Sequence, residues 1–172
     1  ALLNGFVAER RLRKLNVLGS LVLLVAAISL LIEVVRFGSI VMDFGGWPSS
    51  FAIRFVADGL SALMVFMIAL VFASVMLLWQ KWPPLANQRI ALMLVQGLVT
   101  SSVAVSLTSD LFNLYVWFEL MLISLLGLFV LQHWAHNREA AIKYFTLNML
   151  GTLLMLAAVG LLYGLTGHLS FE

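Results

Sequence analysis

The stretch DLFNLYVWFELMLISLLGLFV (Asp110 to Val130) decides the fold class of this chain. It is long and apolar enough to cross the hydrocarbon core of a bilayer, which takes about 20 residues of helix. Glu119 nevertheless lies close to the middle of the stretch. At a rise of about 1.5 Å per residue, its carboxylate is predicted to lie more than about 10 Å from either membrane surface. The stretch therefore predicts a membrane helix with an ionisable group at depth.

The composition of the whole chain agrees with a membrane protein. Of 172 residues, 63% are hydrophobic and 10% are charged, whereas soluble domains are about half apolar and about a quarter charged. The net charge of +2 is too small to indicate a nucleic-acid partner. The chain has no cysteine, which excludes disulfides, thiolate metal sites and cysteine nucleophiles. Since His133 and His136 have no further ligands nearby in sequence, we predict no metal or cofactor.

Five segments have the length and hydropathy of full transmembrane helices. Lipid offers no hydrogen-bond partners to backbone N–H and C=O groups, so these segments are predicted to be helices rather than open strands. They are predicted at residues 15–35, 60–79, 90–107, 111–131 and 140–163. Residues 1–8 are interpreted as the remnant of an earlier helix. The chain is thus predicted to be an all-α polytopic membrane protein with a single, incomplete membrane domain.

The positive charges of the connections predict the orientation in the membrane. Segments 9–14, 80–89 and 132–139 hold seven Lys and Arg residues, whereas the opposite side holds only Arg36 and Arg54. Positively charged loops stay in the cytoplasm. These three segments are therefore predicted to be cytoplasmic, and the long segment 36–59 to lie outside.

The outer segment has the pattern of a β-hairpin. Gly45 to Pro48 read as a turn, and the apolar alternation of Phe51, Ile53 and Phe55 has the period of a half-buried strand. A hairpin across the outer helix ends is expected, with an irregular loop carrying aromatic anchors as the alternative.

Glu119 is the first candidate functional residue. An ionised side chain at the centre of a membrane helix costs about 2.5–3.5 kcal/mol, and such residues usually face a bundle interior where they pair or pass protons. The alternative is a structural glutamate that holds helices together. Lys143 is the candidate partner, although it is predicted to lie about 10 Å nearer the cytoplasm. A water chain or a third charge would then have to connect them, unless Lys143 only reaches towards the lipid headgroups.

Further polar residues could line a hydrated route near Glu119 or bind neighbouring helices to each other. They are Gln96, Thr100, Ser101, Asn113, Ser124, Thr146, Asn148 and Thr152. Asp58 and Asp110 precede predicted helices and fit N-caps. Two spacings of small residues, Gly97 with Ser101 and Gly160 with Gly164, indicate close helix contacts.

Residues 109–124 (SDLFNLYVWFELMLIS) and 138–171 (REAAIKYFTLNMLG and onwards) resemble the antiporter-like membrane subunits shared by Mrp-type sodium/proton antiporters and respiratory complex I. GGWPSSFAIRFVADGLSALM (45–64) and KYFTLNMLG (143–151) are most similar to the D subunit of Mrp complexes. The resemblance implies that the chain is the N-terminal part of a roughly 14-helix subunit. It also implies that Glu119 and Lys143 form a proton relay, completed by a lysine on a broken helix beyond Glu172.

The expected function is therefore that of a proton-translocating subunit in a multisubunit sodium/proton antiporter of the bacterial inner membrane. Its expected partners are other membrane subunits, lipid, protons and sodium, and it would be a transporter rather than an enzyme. One alternative is a proton-pumping subunit of complex I or of a membrane-bound hydrogenase, which would make it part of a translocase. Another is a structural subunit that transports nothing.

Overall fold

The computed structural model describes residues 9–44, 53–81, 87–131, 138–169 and 171. Their elements, in chain order, are α1 (Glu9–Phe37), β1 (Ile40–Phe44), β2 (Ile53–Ala57), α2 (Gly59–Trp79), α3 (Gln88–Leu107), α4 (Leu111–Leu131) and α5 (Arg138–Thr166). Within these described ranges, five helices are long and apolar enough to cross a membrane. The prediction of an all-α membrane protein with five full spans is confirmed.

The first helix is longer than the sequence predicts. It begins at Glu9 rather than Leu15 and runs for 29 residues, which gives a length of roughly 43 Å. Since the hydrocarbon core is about 30 Å thick, part of α1 must extend beyond it. The predicted loop 9–14 is therefore the first turns of α1. The predicted helix remnant 1–8, the turn 45–48 and both loop histidines lie outside the described residues.

Between α1 and α2 the chain has an antiparallel pair of strands. The register runs from Ile40 opposite Ala57 to Phe44 opposite Ile53. An ion pair crosses the strands, with Arg54 Nε 2.8 Å from an Asp43 carboxylate oxygen. The Phe44 and Phe55 rings meet edge to face at 5.4 Å. Cross-strand pairs of this kind set the register of a two-stranded sheet.

Backbone hydrogen bonds join this hairpin to the turn between α3 and α4 and to the residues after α5. The Ser109 N–H donates to the Arg54 carbonyl at 3.2 Å, and the Phe171 N–H donates to the Ser109 carbonyl at 3.1 Å. The Leu111 N–H donates to the Leu169 carbonyl at 3.0 Å. The hairpin, the turn and the tail thus form one hydrogen-bonded layer at the same end of the bundle.

Both predicted N-caps are confirmed. The Asp58 carboxylate accepts a hydrogen bond from the Ser61 backbone N–H at 2.7 Å, and the Ser61 hydroxyl accepts one from the Asp58 N–H in return. The Asp110 carboxylate accepts from the Asn113 N–H, also at 2.7 Å. These bonds satisfy backbone donors that a helix start leaves free.

The buried core lies among α1, α2 and α3. One cluster joins Leu12, Phe72, Met76 and Leu92, one from each of α1 and α3 and two from α2. Two further clusters are built around the small side chains of Ala27, Ala62 and Ala69, each at most 2% exposed. Small side chains allow helix backbones to approach closely. The resulting van der Waals contacts hold membrane helices together, because there is no hydrophobic driving force between helices in lipid.

Glycine brings α3 and α4 together. A Cβ at Gly97 would lie 2.6 Å from Ser124 Oγ, and one at Gly127 would lie 2.8 Å from the Leu94 side chain. Gly97 is therefore a helix contact, as its spacing with Ser101 predicts. Gly160 and Gly164 differ, because no described atom comes within 4 Å of a Cβ built at either position.

Candidate functional site

Glu119 lies in a groove between α4 and α5. The groove is narrow, is open on one side and is lined mostly by apolar side chains. Its lining consists of Glu119, Leu122, Ile123, Leu126, Tyr144, Phe145, Asn148 and Met149. The α4 members recur at spacings of three and four residues, which places them on one face of the helix. Periodicity alone would have found this face, but not the helix that it meets.

The Glu119 carboxylate has an oxygen without a partner. Oε2 is buried, and no hydrogen-bond donor in the described part of the chain reaches it. Buried polar atoms are hydrogen-bonded in the great majority of cases, and each exception calls for an explanation. A carboxylate with free acceptor capacity in an apolar groove can take a proton or accept a hydrogen bond from a moving partner.

Asn148 lies at nearly the same depth as Glu119. Glu119 is twelve residues before the end of α4, and Asn148 is ten residues after the start of α5. At about 1.5 Å per residue these positions differ by about 3 Å along antiparallel helices joined by a short connection. Asn148 is half-buried, and its Nδ2 donates to the Tyr144 carbonyl at 2.9 Å.

Lys143 pairs with Glu139 rather than with Glu119. Its Nζ lies 2.6 Å from a Glu139 carboxylate oxygen, and the two side chains are 71% and 79% exposed. This agrees with the expectation that Lys143 lies too near the helix end for a direct salt bridge to Glu119. The sequence carried a signal for the observed pair, since Glu at i and Lys at i+4 stabilise a helix surface.

The other polar residues of α4 point away from Glu119. Asn113 and Ser124 are buried and face α3, where Asn113 Nδ2 donates to the Thr108 hydroxyl at 2.8 Å. Ser124 packs against Gly97. At about 100° per residue, both are turned by roughly 120–140° from Glu119 around the helix axis. Of the two alternatives for these residues, contact with a neighbouring helix is therefore the one that the structure shows, because they lie on a different face from Glu119.

Gln96 also faces elsewhere, towards α1. Its Nε2 donates to Asn16 Oδ1 at 2.7 Å, and Asn16, which is 2% exposed, donates to the Leu12 carbonyl. Asn16 was not among the polar residues that the sequence singled out, so this pair was missed. Ser101 bonds to the Gly97 carbonyl within its own helix. Among the predicted route residues, Asn148 is the one that shares the groove with Glu119.

The hydroxyls of Thr146 and Thr152 are also satisfied within α5. Thr146 donates to the Ile142 carbonyl at 2.9 Å, and Thr152 donates to the Met149 carbonyl at 3.2 Å. Within the described ranges, no three His, Asp or Glu side chains come close enough to hold a metal ion. The polar residues that line the groove are thus one glutamate, one asparagine and one tyrosine, among apolar side chains.

Comparisons with known proteins find a matching family and similar relatives. Residues 108–172 match the transmembrane family described as NADH:quinone oxidoreductase/Mrp antiporter. A Staphylococcus haemolyticus protein named as an antiporter subunit, mnhD2, is 37% identical over all of this chain and 35% of its own length. Its Staphylococcus epidermidis namesake is 40% identical over 85% of this chain and 30% of its own length. The chain spans about a third of the length of these relatives.

Two solved structures share the fold. A chain of membrane-bound sulfane sulfur reductase, an archaeal respiratory membrane complex, has a TM-score of 0.91 at 26% identity over 98% of this chain and 35% of its own. A chain of the Mrp complex from Dietzia sp. DQ12-45-1b has a TM-score of 0.82, also at 26% identity, over 93% of this chain and 31% of its own. Both are multisubunit membrane complexes.

Proposed function

We propose that the chain belongs to the family of antiporter-like membrane subunits and is part of the proton-translocating subunit of a multisubunit Na⁺/H⁺ antiporter. The observation that carries this proposal is the buried, unpartnered carboxylate oxygen of Glu119 in the groove between α4 and α5. The similarity to relatives named as antiporter subunits supports a role for this carboxylate in ion exchange.

In this proposal Glu119 takes up a proton from one side of the membrane and releases it to the other. An ionised carboxylate is costly in apolar surroundings, whereas its protonated form is tolerated. Glu119 therefore changes protonation when a cation or a hydrogen-bond donor approaches or leaves. The remaining groups of the relay would come from the rest of the subunit and from its partner subunits.

Lys143 is proposed to act at the mouth of this groove. Its ammonium group is held by Glu139 in an exposed ion pair, and such pairs contribute little energy. Exchange of Lys143 between Glu139 and the groove therefore has a low cost. An ammonium group nearer to Glu119 would favour loss of its proton.

We also propose that the start of α1, the segment 80–89 and the segment 132–139 face the bacterial cytoplasm. The excess of Lys and Arg in these segments supports this orientation. The hydrogen-bonded layer formed by the hairpin and the tail would then face outside. Protons entering from outside would be exchanged for sodium from the cytoplasm.

A redox-driven pump is the second candidate, since the fold matches a respiratory complex with the TM-score of 0.91. In that case electron transfer in a distant subunit would drive the same carboxylate. The higher identity to relatives named as antiporter subunits favours the antiporter. A subunit without transport, in which Glu119 is structural, is the third candidate.

A sodium pulse on everted vesicles that carry the complete complex separates these candidates. Glu119→Gln keeps the shape of the side chain but cannot carry a proton. We expect it to lower sodium-dependent collapse of the pH gradient by about 100-fold or more, because a positioned acid–base group contributes about 10²–10⁴ in rate. Glu33→Gln is the matched control, since Glu33 is an exposed carboxylate of α1 that does not line the groove.

Each outcome selects one candidate. Loss of sodium-dependent collapse in Glu119→Gln alone supports the antiporter. If sodium has no effect but NADH-driven acidification needs Glu119, the chain serves a redox pump. If Glu119→Gln assembles and moves ions normally, the transport role of Glu119 is wrong and the structural subunit stands.

A further inference from the structure

The groove that holds Glu119 is also lined by one side-chain amide. Apart from Glu119, its polar lining residues are Tyr144 and Asn148. The Tyr144 ring packs edge to face on Phe129, with centroids 6.2 Å apart, close to the end of α4. Asn148 lies one turn further along α5, within about 3 Å of the depth of Glu119. Asn148 is therefore the polar lining residue at the level of the carboxylate.

Asn148 has a hydrogen-bond donor to spare. Its amide group carries two N–H donors, and one of them reaches the Tyr144 carbonyl of its own helix at 2.9 Å. That carbonyl is also the regular acceptor for the backbone N–H of Asn148, four residues on. The bond from the side chain is thus supplementary, and releasing it leaves the helix intact.

We infer that Asn148 is a positioning residue for Glu119: its side-chain amide donates to the free carboxylate oxygen, directly or through one water in the groove. This inference rests on the proposed function, because it assigns a role to Asn148 in the proton chemistry of Glu119. The amide cannot ionise, so it orients the carboxyl group and stabilises its charge without competing for the proton. A hydrogen bond to a charged group is stronger than one between two neutral groups.

The test combines infrared spectroscopy with transport in the complete complex. The carboxyl C=O band of Glu119 is assigned as the band that disappears in Glu119→Gln. Asn148→Leu has nearly the same size as the wild-type side chain but no donor, and Asn148→Gln keeps the amide. Thr146→Val is the matched control, since Thr146 is exposed on the same helix and bonds only to the Ile142 carbonyl.

We expect Asn148→Leu to shift the Glu119 band to higher wavenumber, as loss of a hydrogen bond does for a carboxyl group. Turnover should fall roughly 10- to 100-fold, the equivalent of one charge-assisted hydrogen bond, while the sodium KM stays unchanged. Asn148→Gln should restore most of the turnover, and Thr146→Val should change neither quantity. Assembly is followed in every variant, and Asn148→Ala replaces Asn148→Leu if the latter assembles poorly.

The inference is overturned if Asn148→Leu leaves both the band and the turnover at wild-type values. When Glu119→Gln is inactive in the same experiment, the proposed function survives that result. If Glu119→Gln itself transports normally, the proposed function has failed, and the positioning role fails with it.

Discussion

The three helices α1 to α3 and the pair α4 and α5 are packed very differently. Seven residues of α2 are buried, whereas only Asn113 and Ser124 are buried in α4. All three buried hydrophobic clusters in the described ranges are built from α1, α2, α3 and the residue Ala57 beside them. The groove with Glu119 lies between α4 and α5, where fewer side chains are buried. Most of the buried side chains and the candidate chemistry thus occupy different parts of the described chain.

This difference has a physical reason. A tightly packed interface leaves no room for water or for a side chain that changes its partner. Regions that move are drawn from the less stable parts of a structure. We therefore regard α1 to α3 as the scaffold and α4 with α5 as the working part, a division that matched substitutions can test.

The largest expected effect is the loss of a large side chain from the scaffold. Leu92 is 1% exposed in the cluster with Leu12 and Met76, whereas Leu154 in α5 is 64% exposed. Leu92→Ala should lower the free energy of unfolding by about 2–5 kcal/mol because it leaves a cavity. Leu154→Ala should change it by less than about 0.5 kcal/mol. Denaturant unfolding of the complete subunit in detergent micelles measures both, and equal losses would contradict the division.

The next effect concerns the glycine contact between scaffold and working part. Gly97→Ala places a Cβ 2.6 Å from Ser124 Oγ and should cost about 1–3 kcal/mol through overpacking. Gly160→Ala meets no described atom within 4 Å and should not destabilise the subunit. The double variant Gly97→Ala with Ser124→Ala should recover most of the loss, since Ser124 Cβ lies at 3.6 Å. Absence of recovery in thermal unfolding would show that the contact is not the cause.

A smaller effect is expected for the buried polar pair inside the scaffold. Asn16→Leu removes the acceptor for Gln96 Nε2 and should cost roughly 0.6–1.7 kcal/mol, as interhelical hydrogen bonds in membranes do. Gln96→Leu and the double variant complete a thermodynamic cycle that isolates the pair. Thr146→Val on the exposed face of α5 is the control. A coupling energy of zero would mean that the bond contributes nothing to stability.

The smallest effect is the pH dependence of the α2 N-cap. The backbone N–H of Ser61 and then its hydroxyl lower the pKa of Asp58 below its ordinary value. A carboxyl with a lower pKa in the folded state contributes stability above its unfolded pKa of about 3.9, and this is lost as the pH falls through the folded value. Asp58→Asn should keep the cap, so that the free energy of unfolding at pH 7 changes by less than about 0.5 kcal/mol. It should also remove the loss of stability as the pH falls. Unfolding curves between pH 7 and pH 2 for both proteins check it; identical slopes would exclude Asp58 as the source.

Much of the architecture follows from local pattern. The bounds of α4 agree with the predicted 111–131, and α2 and α3 begin only one or two residues before the predicted positions. The caps Asp58 and Asp110 follow from residue type and position. The start of α1 was missed because its first turns are charged, and hydropathy reports the apolar part of a helix rather than its hydrogen-bonded length.

Partners across helices could not be predicted in the same way. The sequence left open whether Gln96, Asn113 and Ser124 line a route with Glu119 or bind neighbouring helices, and the structure shows that they face α1 or α3. The ion pair of Lys143 with Glu139 was missed although its spacing is regular. Spacing fixes the face of a helix that a residue occupies, but it does not fix which neighbour that face meets.

By itself the sequence determined that this is a membrane protein of five full spans with a carboxylate at depth, because apolar length and helical periodicity are local properties. Only the tertiary structure decided that Glu119 faces α5 and shares its groove with Asn148, while the polar residues of α3 are used elsewhere. The reason is that helix rotation and pairing are set by packing of small residues such as Gly97 against a particular neighbour. That choice depends on all the helices at once.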